Sequence, residues 1–171
     1  ADRLNHRVQK FNNGGVWQKN FTGLNRPYSV TVDANGNVYA GSVSANEIWK
    51  WASNGAYVRS LGQKYNIYSG NHCPRGLSAY GGSVYALDGC FYPGVVTQFS
   101  EDGQRLADWR TRQRVPYEDV EVTSNGVYVA NPGTSTIEKY SHSGKFLKQW
   151  GGYGQGNSQF RYIFGIGSDR S

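Results

Sequence analysis

The sequence predicts an all-β fold assembled from repeated four-stranded units, and three observations carry that prediction. The 171 residues include 23 glycines, 13 tyrosines and 5 tryptophans but no methionine, the mix of short strands joined by tight turns. The segment RVQKF (7–11) returns as EIWKW (47–51), VVTQF (95–99) and TIEKY (136–140), placing a closing aromatic at Phe11, Trp51, Phe99 and Tyr140, with spacings of 40, 48 and 41 residues. A glycine follows each anchor at the same offset, at Gly15, Gly55, Gly103 and Gly144, where a turn needs a positive φ.

Each unit divides into four strands, labelled A to D from the axis outward. YSVTVDANGNVYAG (28–41), RGLSAYGGSVYALD (75–88) and EDVEVTSNGVYVAN (118–131) are pairs of apolar-rich runs about a glycine turn, so they read as A–B hairpins. The anchors are strand C. The runs GVWQKNF (15–21), AYVRSLG (56–62), QRLADW (104–109) and KFLKQW (145–150) are strand D. Four-stranded units at this period are blades of a β-propeller, and residues 1–171 read as a single partial propeller domain. The first residues, Ala1-Asp2, match the end of a strand B, and YIFGIGSD (162–169) reads as a strand A. Such an arc leaves sheet edges open. It is therefore expected to be part of something larger, its remaining blades coming from further sequence or another chain, with a self-associating half-propeller as the alternative.

No apolar run reaches the roughly 18 to 20 residues of a membrane-spanning helix. The formal charge of +6 permits an anionic partner without requiring one. In the hairpin at 75–88 the two-residue turn is Gly81-Gly82, so pairing runs from Tyr80 opposite Ser83 down to Cys73 opposite Cys90. That pair is expected to be a disulfide, which implies an oxidising compartment and a secreted or lumenal protein. Asn20-Phe21-Thr22 fits the glycosylation acceptor pattern, with Asn20 as the modified residue.

The combination of AD..NHRVQKF, a glycine turn and a run into D.NGNVY resembles the NHL repeat, with its signature at Asn5-His6-Arg7. The resemblance covers essentially the whole chain and implies a propeller of five or six blades. NHCPRGLSAYGGSVYALDGC (71–90) further resembles a blade of the peptidyl-α-hydroxyglycine α-amidating lyases, secretory propellers in which a disulfide ties the same two loops. That resemblance implies a zinc ion held by histidines after prolines at strand A entrances and a tyrosine before the second cysteine, with zinc or calcium as cofactors open to a lyase only. This chain has Pro27-Tyr28, Pro116-Tyr117, Ile163-Phe164 and Gly89 in those places. Tyrosine and phenylalanine are not the usual zinc donors, so no metal and no cofactor is expected. His6, His72 and His142 occupy unlike positions in different units, and Asp88 and Tyr92, flanking Cys90, are the catalytic candidates left to a lyase.

The loops expected on one face of the propeller are rich in arginine and tyrosine. Arg26, Tyr28, Tyr65, Tyr68 and Arg75 come from the first two units, and Arg112, Arg114, Tyr117 and Phe164 from the later ones. Such residues anchor recognition surfaces, because each offers large area with directed hydrogen bonds. The expected function is an extracellular, non-catalytic binding module for a protein, peptide or glycan. A lyase-like enzyme is the first alternative and single-stranded RNA binding the second, the disulfide arguing against nucleic acid.

Overall fold

The computed structural model describes residues 1–61, 73–90, 92–113 and 115–169. Tyr65, Tyr68, His72 and Arg114 lie outside the described residues. The first sheet pairs β1 (Arg7–Phe11) with β2 (Trp17–Thr22). Three complete four-stranded antiparallel blades follow. Blade 1 is β3 (Ser29–Val32), β4 (Val38–Ser42), β5 (Glu47–Trp51) and β6 (Tyr57–Leu61). Blade 2 is β7 (Pro74–Tyr80), β8 (Ser83–Asp88), β9 (Val95–Ser100) and β10 (Arg105–Arg110). Blade 3 is β11 (Asp119–Thr123), β12 (Gly126–Asn131), β13 (Thr136–Tyr140) and β14 (Phe146–Gly151).

The turn after each anchor is the same object four times. Its glycine takes a positive φ of 76° at Gly15, 93° at Gly55, 79° at Gly103 and 82° at Gly144. In each, the glycine amide donates to the carbonyl three residues back, at Asn12, Ala52, Ser100 and Ser141. Beside every anchor the C–D pairing carries a bulge, because the outer strand has one residue more than its partner. The surplus residues are Gln18, Val58, Leu106 and Leu147, all exposed.

Successive side chains face opposite sides of each sheet, and the apolar ones meet between sheets. Val8 and Phe21 of the first sheet pack with Val38, Ala40 and Trp51 of blade 1. Tyr39, Ile48 and Leu61 on its far face meet Leu77, Ala79, Val84 and Phe99 of blade 2. Tyr85, Leu87 and Val96 then meet Val120, Val122, Val127 and Tyr140 of blade 3. Full burial contributes roughly 1.5–3 kcal/mol per large apolar side chain. The arc is thus held by blade-on-blade packing.

The inner strands approach closely where glycine removes the side chain. A β-carbon on Gly76 in β7 would meet the Val120 amide nitrogen of β11 at 2.6 Å. The chain entering at Ala1-Asp2 makes one bridge, Asp2 to Arg7, in the place where a strand B ends. Residues 162–169, expected to form a strand A, run beside β11 without joining a ladder. No described segment pairs with them, and the Ile166 amide donates instead to the Asp119 side chain at 3.0 Å.

Candidate functional site

Three strand entrances from three blades converge at one end of the axis. Tyr28 precedes β3, Arg75 lies near the start of β7, and Glu118 precedes β11. The Tyr28 hydroxyl donates to Glu118 Oε2 at 3.2 Å, and Arg75 Nη1 forms an ion pair with Glu118 Oε1. Glu118 is buried, whereas Arg75 and Tyr28 are partly open to solvent. The Arg3 guanidinium sits 5.6 Å over the Tyr28 ring. Burial, followed by the Glu118 charge, raises the Tyr28 hydroxyl above the usual tyrosine range, so it stays a donor at neutral pH. Ser29 Oγ adds a bond to the Pro74 carbonyl at 2.9 Å, fixing the β3 and β7 ends together.

Below this mouth an open channel of about 330 Å³ runs between β3 and β11. One side is apolar, with Val30 and Val32 exposed into it, and the other carries Asp119 and Glu121. Asp119 accepts from the Val120 and Ile166 amides, yet burial pushes its carboxyl up to about 6. Glu121 accepts from Ser78 Oγ at 3.1 Å and Ser168 Oγ at 2.6 Å.

The other expected loop residues divide. Arg112 is exposed, its guanidinium 4.6 Å over the Phe146 ring and its amide donating to the Tyr140 hydroxyl. Arg26 is exposed with a φ of 47°, its amide donating to His6 Nδ1 at 3.2 Å. Phe164 is 77% exposed and packs on Tyr162 with centroids 4.3 Å apart. Tyr117 is not on the loop surface: it is 0% exposed, and its hydroxyl donates to Glu138 Oε1 at 3.1 Å. Glu138, itself fully buried on β13, also accepts from Asn131 Nδ2 and the Tyr140 hydroxyl. This internal network turns Tyr117 inward, whereas Tyr28, at the matching place in blade 1, meets Glu118 at the axis.

Cys73 and Cys90 form the expected disulfide, with Cα atoms 5.5 Å apart. The hairpin keeps the expected register from Tyr80–Ser83 to Gly76–Leu87, then slips by one at Pro74–Asp88 because Arg75 bulges out. Cys73 thus faces Gly89 and reaches Cys90 diagonally, the Gly89 amide donating to the Cys73 carbonyl. Asn20 lies exposed on β2, its Oδ1 accepting from Trp17 Nε1 at 3.1 Å.

The lyase donor set does not fit this geometry. Tyr28 is tied to Glu118, Tyr117 is in the core, Phe164 carries no donor, and a β-carbon on Gly89 would stand 2.0 Å from the Tyr117 carbonyl oxygen. His6 caps the Arg26 amide; His142 bonds the Thr123 carbonyl at 2.8 Å and stacks on Tyr80. Among the described residues no group of three His, Cys, Asp or Glu side chains is placed to hold a metal. Asp88 is buried, with Oδ1 accepting from the Cys90 amide, and Tyr92 is 60% exposed.

Arg3, Glu118, Asp119 and Glu121 were not singled out by the sequence reading. Their signal was weak, since a lone charged residue near the axis looks like any solvated charge until the blades close on it.

No protein-family model matches the chain, and no curated protein matches it by sequence. Its likeness is to solved structures. Virginiamycin B lyase from Staphylococcus aureus aligns with a TM-score of 0.66 at 13% identity, over 86% of this chain and 49% of its own. A streptogramin B lyase aligns at 0.71 and 13%, over 88% and 49%. The WD40 β-propeller domain of Doa1 aligns at 0.68 and 12%, over 84% and 47%. The chain therefore spans about half the length of these structures. At such identities the likeness concerns the fold: the chain is an arc of a β-propeller, with three complete blades and a two-stranded sheet before them.

Proposed function

We propose that the chain is an NHL-type propeller that acts outside the cytoplasm as a non-catalytic binding module for a protein, peptide or glycan. The observation that carries this reading is the Tyr28–Glu118–Arg75 cluster, with a partly open guanidinium and a phenol oxygen held over a buried carboxylate at the axis mouth. A preorganised guanidinium suits carbonyl and carboxylate acceptors, and a phenol oxygen whose proton is held by Glu118 accepts from amide and hydroxyl donors, all of which peptides and glycans present in quantity. Arg3 stacked on Tyr28 and the exposed Tyr162–Phe164 pair extend the same chemistry. The NHL assignment draws support from His6, which holds the Arg26 amide from a φ of 54°, a structural task for the signature histidine. The Cys73–Cys90 disulfide supports the secretory location.

Peptide and glycan arrays followed by calorimetry test the reading. Tyr28→Phe keeps the ring and removes the hydroxyl, and Arg3→Ala removes the stacked cation; each is expected to weaken a true ligand by roughly tenfold. Binding unchanged in both variants, or turnover of an α-hydroxyglycine peptide by the wild type, would overturn it.

A further inference from the structure

The disulfide of blade 2 lies beside both halves of the ion pair at the mouth. Arg75, the cation of that pair, is the residue that bulges from the β7–β8 ladder, two places after Cys73. Its amide donates to the Cys73 carbonyl at 2.8 Å, and the same carbonyl accepts from the amide of Gly89, the neighbour of Cys90, at 3.2 Å. Gly89 in turn is wedged between the two ionic partners. A β-carbon on it would stand 2.8 Å from Arg75 Cδ and 2.0 Å from the carbonyl oxygen of Tyr117, the residue before Glu118. The Cys73–Cys90 bond thus closes a bracket around Arg75, with the bulge on one side and Gly89 on the other.

Glu118 is held by other means. Its amide donates to the Ala130 carbonyl at 3.2 Å within blade 3, and Tyr117 beside it is fixed through its hydroxyl to Glu138. Its second carboxylate oxygen accepts from Tyr28 of blade 1. Ser29 Oγ keeps the Pro74 carbonyl on blade 1 at 2.9 Å, so β7 stays in place whatever the state of the cysteines. Opening the disulfide therefore slackens the Arg75 bulge and the Gly89 loop, and leaves the carboxylate with Tyr28.

We propose that the Cys73–Cys90 disulfide is a redox-controlled clamp on the mouth: oxidised, it presents the Arg75 guanidinium to ligand; reduced, it lets Arg75 leave Glu118, and affinity falls. The proposal rests on the reading of the mouth as a binding site. Cys90 is exposed and Cys73 is buried, so a dithiol reductant reaches the Cys90 sulfur first. One reductant thiolate bonds to that sulfur, and Cys73 leaves as a thiolate that takes up a proton. The reductant's second thiol then closes its own disulfide and releases Cys90, which is protonated in turn. Two electrons and two protons pass from the dithiol to the protein, and reoxidation reverses them.

The test follows Arg75 itself, with or without a ligand. In the intact chain, exchange of the Arg75 Nη protons with water, read by heteronuclear NMR, is expected to quicken roughly tenfold when dithiothreitol reduces the disulfide, and to recover on reoxidation. Arg7, paired with Asp2 in the first sheet, is the control whose exchange is expected to stay the same. A peptide or glycan bound by the oxidised protein is expected to lose roughly tenfold in affinity on reduction, and Arg75→Ala is expected to remove that redox dependence. Exchange at Arg75 that ignores the disulfide, or a ligand held equally in both states, would overturn the proposal. Should no ligand be found, the binding-module reading fails and the Arg75 exchange alone decides the clamp. Should circular dichroism show the reduced chain unfolded, Glu118→Gln in the oxidised chain decides it. There the Arg75 amide is expected to keep its protection from hydrogen exchange; lost protection would mean that the ion pair, and not the disulfide, sets the bulge.

Discussion

Gly89 and the Tyr117 carbonyl touch so closely that a β-carbon at residue 89 would lie 2.0 Å from the oxygen. Here the disulfide-bearing loop of blade 2 packs on the chain entering blade 3, and the Tyr117 amide points back at the Gly89 carbonyl. Gly89→Ala must push two backbones apart, so we expect a loss of at least about 2 kcal/mol in urea unfolding. A variant as stable as the wild type would show that the two segments can separate freely.

The disulfide closes a loop with a sequence separation of 17 residues. Constraint of the unfolded chain over such a loop gives about 3 kcal/mol. Reduction, or Cys73→Ser with Cys90→Ser, should lower the unfolding midpoint accordingly. Thiol titration of native protein should find no free cysteine; two free thiols would remove the argument for secretion.

Asp119 gives a pH signature. Its carboxyl is raised by burial from an ordinary 3.8 to about 6, so folding favours the protonated form. The associated stability is full below about 4 and is lost as pH rises through about 6. Asp119→Asn should flatten the stability profile between those values, measured by thermal melts across the range. An unchanged slope would place the titrating group elsewhere.

Glu138 gathers three donors at a fully buried position. Glu138→Ala leaves the Tyr117 and Tyr140 hydroxyls and the Asn131 amide unmatched, at a cost of about 2–4 kcal/mol. Tyr117→Phe removes one of the three donors to Glu138 and the acceptor of the Gln113 amide, and should cost less, about 1–2 kcal/mol. Equal losses from both changes would argue against the network.

The fold was legible wherever one residue type recurs at a fixed offset, as the anchors Phe11, Trp51, Phe99 and Tyr140 and their glycines do. The bulges at Gln18, Val58, Leu106 and Leu147 were hidden because a surplus residue changes pairing without changing composition. Residues 162–169 read as a strand A from their place in the repeat, but a strand exists only with a neighbour to exchange hydrogen bonds. The cysteine pairing was readable from the glycine turn despite the slip at Arg75, since a disulfide spans adjacent as well as opposite positions. For the site, Tyr28 and Tyr117 look alike behind their prolines. What separates them is Glu138, far along the chain and met only after folding.

The Tyr28–Glu118–Arg75 contact joins the first complete blade to the third across the second. One carboxylate therefore gauges the curvature of the arc, because the angle subtended by three blades cannot widen without parting its two oxygens from their donors. Glu118→Gln, which weakens that grip while keeping the shape, would be expected to loosen the pitch of any assembly built from this arc.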